Sequence, residues 1–231
     1  MAVIPRSTAP RIAVVGIVLS FALAVAIGIL RTVNTEPVER GVEVAGNIGF
    51  AIVFAAPGLL GLLGLRGRPT LFVAAGVLDL VLAFLTLISF IGLVFVPPAV
   101  MFFVAAGRMR GDGTSLARSI ATVLVALLGG TGAFFALFVQ EDPVCWARNP
   151  ATGETFRLDA SRFVHGSSIS MNSRDLPAGT TESGCSTDTI SPREALAATA
   201  VVAAMLGTAW ALSKQPALRP APAPTTDWRQ H

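Results

Sequence analysis

The sequence LFVAAGVLDLVLAFLTLISFIGLVFVPPAVMFFVAAG, residues 71–107, decides the fold because its only charged side chain is Asp79. As one α-helix it would be roughly 55 Å long, whereas the hydrocarbon core of a bilayer is about 30 Å thick. Tilting cannot absorb that excess, so we expect a first pass over about residues 71–90, a turn near residues 89–92 and a second pass that ends at about residue 107. Because the second pass is short, a re-entrant hairpin is the alternative. Both versions return the chain to the side it left.

The composition is that of a membrane protein: 53% of the residues are hydrophobic and only 13% are charged, against about a quarter charged in soluble domains. We therefore predict an all-α membrane protein with about six transmembrane helices. The lipid bilayer is its expected partner. The predicted organisation is a cytoplasmic N-terminus at 1–11, five transmembrane helices within 12–140, an extracytoplasmic loop at 141–194, a sixth transmembrane helix at 195–213 and a disordered, cytoplasmic Pro/Ala-rich tail at 214–231.

The distribution of charged residues predicts which side of the membrane each segment faces. With six passes and the N-terminus inside, the inner segments hold ten Lys/Arg and two acids, whereas the outer segments hold seven Arg and eleven acids. Short basic loops favour the cytoplasmic side, and a five-pass chain would export the arginines at 108–118. The same distribution argues against nucleic acid as a partner, because the basic residues lie in short clusters at the ends of apolar runs.

The first apolar run, residues 12–30, has two interpretations. Its Ala24-Val25-Ala26 sequence fits a signal-peptide cleavage site, but the run continues past that site, which favours a retained helix. Small residues recur every four positions along it and predict a helix-packing face, although an Ala/Gly-rich composition alone could produce the spacing. This small-residue stripe consists of Gly16, Ser20, Ala24 and Gly28.

Both cysteines, Cys145 and Cys185, fall in the predicted extracytoplasmic loop, where the environment is oxidising and a disulfide is the default. No CxxC pair supports thiol redox chemistry, and the spacing to His165 does not fit zinc. We therefore expect no metal and no cofactor. Residues 145–158 read as strand, turn and strand, with another short strand at Ile169 and Met171 and a loop around 179–184. A mostly irregular flap pinned by the disulfide is the alternative.

Asp79 is the intramembrane polar candidate, since a carboxylate near the bilayer midplane is costly and is a functional hypothesis by default. Ala75, Gly76, Ala83 and Thr86 share its helix face, which we expect to turn towards other helices. The functional interpretation is a proton or cation site. The structural interpretation, which we favour because no second buried acid or base is evident, is a carboxyl that pins helix packing. Asn47 reads as an interfacial residue.

The sequence Cys145-Trp146, a Gly-containing hairpin, and then GCSTDTISPRE at 184–194 leading into a helix resembles uncharacterised integral membrane proteins of actinobacteria. This resemblance implies a cell-membrane protein and no particular activity. We expect a non-enzymatic accessory protein whose exported loop contacts another membrane or envelope protein. The alternatives are a small transporter or channel that uses Asp79, and an enzyme of lipid or cell-wall precursors.

Overall fold

A computed structural model describes residues 9–34, 40–87, 91–109, 115–137, 144–165, 168–169, 176–186 and 190–214. Within these residues the chain forms six α-helices and five short β-strands. The helices are α1 (Ala9–Asn34), α2 (Arg40–Gly64), α3 (Pro69–Leu85), α4 (Val96–Arg108), α5 (Leu116–Ala136) and α6 (Pro192–Lys214). The strands are β1 (Val144–Arg148), β2 (Thr155–Leu158), β3 (Val164–His165), β4 (Ser168–Ile169) and β5 (Glu182–Ser186).

Four of the helices are long and apolar enough to cross a membrane: α1, α2 over Gly46–Gly64, α5 and α6. They indicate a multi-pass membrane protein. The two shorter apolar helices are α3 and the segment Gly92–Arg108, so helix length supports four of the six predicted crossings. Large apolar side chains also point outwards, as expected where lipid replaces water; Phe84 is 75% exposed and Leu196 is 71% exposed.

The long apolar stretch doubles back, as predicted. The ring of Phe72 stacks on Phe102 with centroids 6.2 Å apart, and a Cβ on Gly76 would lie 3.1 Å from the carbonyl oxygen of Ala99. Nearer the turn, Gly92 lies against the carbonyl oxygen of Ala83. Later residues of the first arm contact earlier residues of the second arm, so α3 and α4 are antiparallel.

The first arm of this hairpin ends at Leu85, five residues before the predicted end at residue 90. Thr86 follows the helix, and its hydroxyl donates a hydrogen bond to the carbonyl oxygen of Leu82 at 2.6 Å. The backbone N–H of Gly92 then donates to the carbonyl oxygen of Thr86 at 3.2 Å. The chain therefore turns within one helical turn of Leu85, although residues 88–90 lie outside the described part. A 3₁₀-helix, Ile91–Phe95, leads into α4.

Helices α2 and α6 run parallel to each other. At one end Gly46 lies against the backbone of Ile190, and a Cβ on Gly49 would lie 2.7 Å from the Cα of Ala195. At the other end the guanidinium of Arg66 lies 5.3 Å from the ring centroid of Trp210. Helix α1 is antiparallel to α2, and α5 is antiparallel to α6.

This arrangement gives the bundle two ends of different charge. The loop end holds the start of α6 and the strands. The basic end holds the start of α1, the turn after α2, the end of α4, the start of α5 and the end of α6. Every acidic residue of the described chain lies outside the basic end. The charged residues at the basic end are Arg11, Arg66, Arg68, Arg108, Arg118 and Lys214.

The segment between α5 and α6 forms a three-stranded antiparallel sheet in the order β2-β1-β5. The predicted strand-turn-strand is present, with Arg148 paired to Thr155. Asn149 shapes the turn, because its Oδ1 accepts a hydrogen bond from the backbone N–H of Ala151 at 3.0 Å, and Gly153 adopts a φ of 71° that favours glycine. The segment is therefore an ordered sheet rather than an irregular flap.

One local prediction was wrong. Residues 179–184 were expected to be a loop, but β5 begins at Glu182 and pairs with β1 along five residues. The composition of β5, Glu-Ser-Gly-Cys-Ser, has little intrinsic strand preference. Its pairing is imposed by β1, since Cys145 lies directly opposite Cys185 in the register. Of the other predicted strand, Ile169 lies in β4, and Met171 falls outside the described residues.

Candidate functional site

Asp79 lies in the middle of α3 and is 0% exposed. Ala75, Gly76 and Ala83 on its helix face are also buried, so this face turns towards the other helices as the sequence indicated. Thr86 does not extend the polar face, because its hydroxyl donates a hydrogen bond to the carbonyl oxygen of Leu82 in α3. The geometry brings Asp79 into the interior of the bundle and leaves Thr86 at its margin.

Few polar groups of the described residues lie near the carboxyl of Asp79. The hydroxyl of Ser20, on α1, is the polar group that approaches it. However, that hydroxyl donates its hydrogen bond to the carbonyl oxygen of Gly16 at 3.1 Å. Within the described residues, neither carboxylate oxygen of Asp79 has a hydrogen-bond partner. A buried ionised carboxyl of this kind is costly unless a proton or a cation neutralises it.

The small-residue stripe of α1 faces its neighbours. A Cβ on Gly16 would lie 3.3 Å from the Cβ of Met101 in α4, and a Cβ on Gly28 would lie 3.6 Å from the Cβ of Ala51 in α2. Between them, Ser20 and Ala24 are 0% and 2% exposed. The stripe therefore lets α1 approach two helices closely, and it places the Ser20 hydroxyl near the carboxyl of Asp79.

Asn47 lies near the loop end of α2, and its place at the membrane interface stays a prediction. It is 8% exposed, and its Nδ2 donates a hydrogen bond to the hydroxyl of Thr32 at 3.2 Å. Thr32 in turn donates to the carbonyl oxygen of Gly28 at 2.8 Å. Asn47 thus ties α2 to α1 near the loop end.

The three-stranded sheet is closed by the disulfide between Cys145 and Cys185, whose Cα atoms are 4.0 Å apart. The ring of Trp146 packs over Gly184 on the neighbouring strand, and a Cβ at that glycine would lie 3.2 Å from the ring. Val144, Ala147 and Phe163 are also buried. The described part of the loop is therefore a sheet closed by a disulfide.

The start of α6, which follows the sheet in sequence, is capped and packed against α2. Ser191 and Glu194 form a capping box at the start of α6, in which the backbone N–H of Ser191 donates to Glu194 Oε2 at 2.8 Å and the backbone N–H of Glu194 donates to Ser191 Oγ at 3.3 Å. Ile190, 1% exposed, packs on Gly46 of α2. The Ser-x-x-Glu spacing is the signal from which sequence reasoning could have placed this helix start.

The remaining titratable candidates form no cluster. The described residues contain no group of three His, Cys, Asp or Glu side chains able to hold a metal ion. His165 belongs to β3, but its side chain lies outside the described part, so its surface interpretation stays a prediction. At Asp159, hydrogen bonds from the hydroxyl and the backbone N–H of Ser161 hold the pKa of the carboxyl below its usual value, and they cap a short 3₁₀-helix.

No protein-family model, no curated protein and no solved structure matches this chain. The resemblance to actinobacterial membrane proteins therefore stays a prediction.

Proposed function

We propose that the chain crosses the membrane six times, with the basic end in the cytoplasm and the sheet outside. The parallel packing of α2 and α6 supports an odd number of crossings between them, three, and therefore the doubling back of α3 and α4. A single long third pass would instead make α2 and α6 antiparallel. The concentration of Arg and Lys at one end supports the orientation through the positive-inside preference of short loops.

The short lengths of α3 and α4 are compatible with this topology. Seventeen residues of α3 rise roughly 26 Å, and the 3₁₀ turns before α4 make Gly92–Arg108 about as long. That is a few ångströms less than the hydrocarbon thickness, a mismatch that local thinning of the bilayer accommodates at modest cost.

The function we propose is that of a non-enzymatic accessory protein that presents its sheet to another component of the cell envelope. The observation that carries this proposal is a partly exposed sheet that is closed by a disulfide. The disulfide joins β1 to β5, and the capping box and Ile190 fix the start of α6 against α2. The surface so presented includes the exposed Arg157 on β2 and the exposed turn at 150–154. A preformed surface binds a partner without the entropic cost of ordering.

Site-specific photo-crosslinking from the sheet tests this function. A photoreactive amino acid at Arg157 should give a discrete protein adduct in intact cells, because this side chain is exposed on the presented surface. The matched control is Leu128, which is 70% exposed on α5 and should give lipid adducts only. Adducts are measured by a mobility shift and identified by mass spectrometry.

The sidedness control is an impermeant thiol reagent, which should label Cys145 and Cys185 in intact cells after reduction. Equal protein adducts from both crosslinker positions, or none from Arg157, would contradict the accessory function. Labelling only after lysis would contradict the orientation.

A second candidate is a small transporter or channel that uses Asp79. The observation that favours it is the complete burial of a carboxyl whose oxygens have no hydrogen-bond partner among the described residues. Burying such a carboxyl costs free energy, and a site that binds a transported proton or cation would account for that cost.

Under this candidate, Asp79→Asn should reduce proton or alkali-cation flux in proteoliposomes to the level of protein-free vesicles. The amide keeps the shape of the side chain but cannot take a proton or bind a cation through charge. Asp159→Asn is the matched control, because it removes an exposed carboxyl from the sheet and should leave flux unchanged.

Thermal unfolding of Asp79→Asn separates lost transport from lost folding. Since an unpaired buried carboxyl costs stability, the variant should be more stable by about 1 kcal/mol. Flux equal to that of the unaltered protein would exclude Asp79 as the transport site, and crosslinking from Arg157 should be unaffected by the substitution.

A further inference from the structure

Three cations converge on one aromatic ring at the basic end. Around the indole of Trp210, the guanidinium carbons of Arg66 and Arg68 lie 5.3 Å and 5.1 Å from the ring centroid, and Lys214 Nζ lies at 4.6 Å. Two of these cations come from the turn after α2, and the third lies one helical turn beyond Trp210 on α6. The ring attracts each cation through its negative face, but it carries no net charge to offset their mutual repulsion.

The described residues supply no acid to this cluster. Their one ion pair joins Arg148 and Glu182 in the sheet, at the opposite end of the molecule. In addition, the Nε–H of Arg68 is buried without a hydrogen-bond partner among the described residues. The cluster therefore has a local charge of about three and unsatisfied donor capacity, which is the electrostatic complement of a phosphate group.

An apolar groove leads away from the same ring. It lies between α2 and α6, encloses about 730 Å³, and carries Arg66 and Trp210 at its margin. Both walls belong to helices long enough to cross a membrane, so the groove lies at the depth of acyl chains. The groove is open at Gly207, because a Cβ at this position would meet no atom within 4 Å. The apolar wall consists of Leu59, Leu62, Leu63, Leu65 and Leu206.

We propose that this groove binds one anionic glycerophospholipid, with an acyl chain along the leucines and the phosphate against Arg66, Arg68 and Lys214. The combination selects this occupant by its chemistry. An apolar helix from a partner protein would fill the groove but leave the three cations unneutralised. A zwitterionic lipid carries its own cation, which the cluster repels. A tryptophan beside basic side chains is also typical of the interfacial depth at which lipid headgroups lie.

Quenching of Trp210 fluorescence by lipids with brominated acyl chains tests the proposal. In a Trp146→Phe/Trp228→Phe background, Trp210 is the one remaining tryptophan, since the chain has three. Brominated phosphatidylglycerol in proteoliposomes should quench it with a relative binding constant roughly tenfold above that of brominated phosphatidylcholine with the same chains. The ratio should fall to about one in Arg66→Gln/Arg68→Gln/Lys214→Gln.

Two further variants separate the site from general surface charge. Arg11→Gln/Arg108→Gln/Arg118→Gln removes three positive charges from the same end but not from the groove, and should keep the preference. Gly207→Leu fills the groove without changing charge and should weaken quenching by both lipids. Native mass spectrometry of the unaltered protein, with both lipids present, should show retained phosphatidylglycerol and provides a readout independent of the tryptophan substitutions.

Three results would overturn the proposal. Equal quenching by the two lipids would show that the cluster does not select an anionic headgroup. An equal loss of the preference for phosphatidylglycerol in the two triple variants would show that the preference depends on the overall positive charge of the basic end. Insensitivity of Trp210 to both lipids would show that a protein segment covers the groove.

Discussion

Reduction of the Cys145–Cys185 disulfide is expected to raise the rate at which trypsin cleaves after Arg157 by about a hundredfold or more. The bond closes a sequence separation of 40 residues, for which the chain-entropy account gives a stabilisation of about 4 kcal/mol. Few apolar side chains of this region are buried, among them Val144, Ala147 and Phe163, so little else opposes the opening of the sheet. Arg157 lies within β2 and becomes a substrate when the sheet opens.

The experiment uses the purified protein in nanodiscs and follows the fragments by mass spectrometry. Cleavage after Arg229, which lies outside the closed loop in sequence, is the internal reference and should not respond to reductant. Cys145→Ala/Cys185→Ala should be cleaved fast without reductant and be insensitive to it. Helical content should persist in each case, because both cysteines lie in strands. A change in rate of less than about threefold would show that the junction with the bundle, rather than the disulfide, stabilises the sheet.

The bundle could be predicted from the sequence because lipid imposes two strong constraints, the length of apolar runs and the placement of positive charge. Residues 71–107 were too long for one pass, and the contacts of Gly76 and Gly92 show the resulting hairpin. The end of α3 was placed five residues late, because the apolar sequence continues past the end of the helix. Local apolar composition therefore locates membrane segments better than helix ends.

The candidate sites were less predictable, because each depends on pairs of residues distant in sequence. Asp79 could be identified as an isolated charge, but its lack of a described hydrogen-bond partner depends on how α1 and α3 pack. Strand β5 forms because β1 and a disulfide impose it, against its own composition. The cluster at Trp210 joins the turn after α2 to the end of α6. The only local signal for it was the spacing of Trp210 and Lys214 on one helix face.

Replacing Gly49 with Ala is expected to lower the free energy of unfolding of the bundle by about 2 kcal/mol. In an ordinary helix this change stabilises, since alanine has the higher helix propensity by about 1 kcal/mol. Here the new methyl group would lie 2.7 Å from both the Cα and the Cβ of Ala195. A backbone atom cannot rotate away, so α2 and α6 must separate, and the contacts on both sides of that crossing weaken.

Gly132→Ala is the matched control, because it lies inside α5, also faces α6, and places its methyl group 3.9 Å from Val201 Cγ1. That distance is ordinary van der Waals contact, so this variant should be as stable as the unaltered protein or slightly more stable. Both are measured by equilibrium denaturation in bicelles. Since α6 leads directly from the sheet, Gly49→Ala should also reduce crosslinking from Arg157, whereas Gly132→Ala should not. Equal stability of the two variants would show that α2 and α6 do not pack at this crossing, and the parallel arrangement on which the six-crossing topology depends would lose its support.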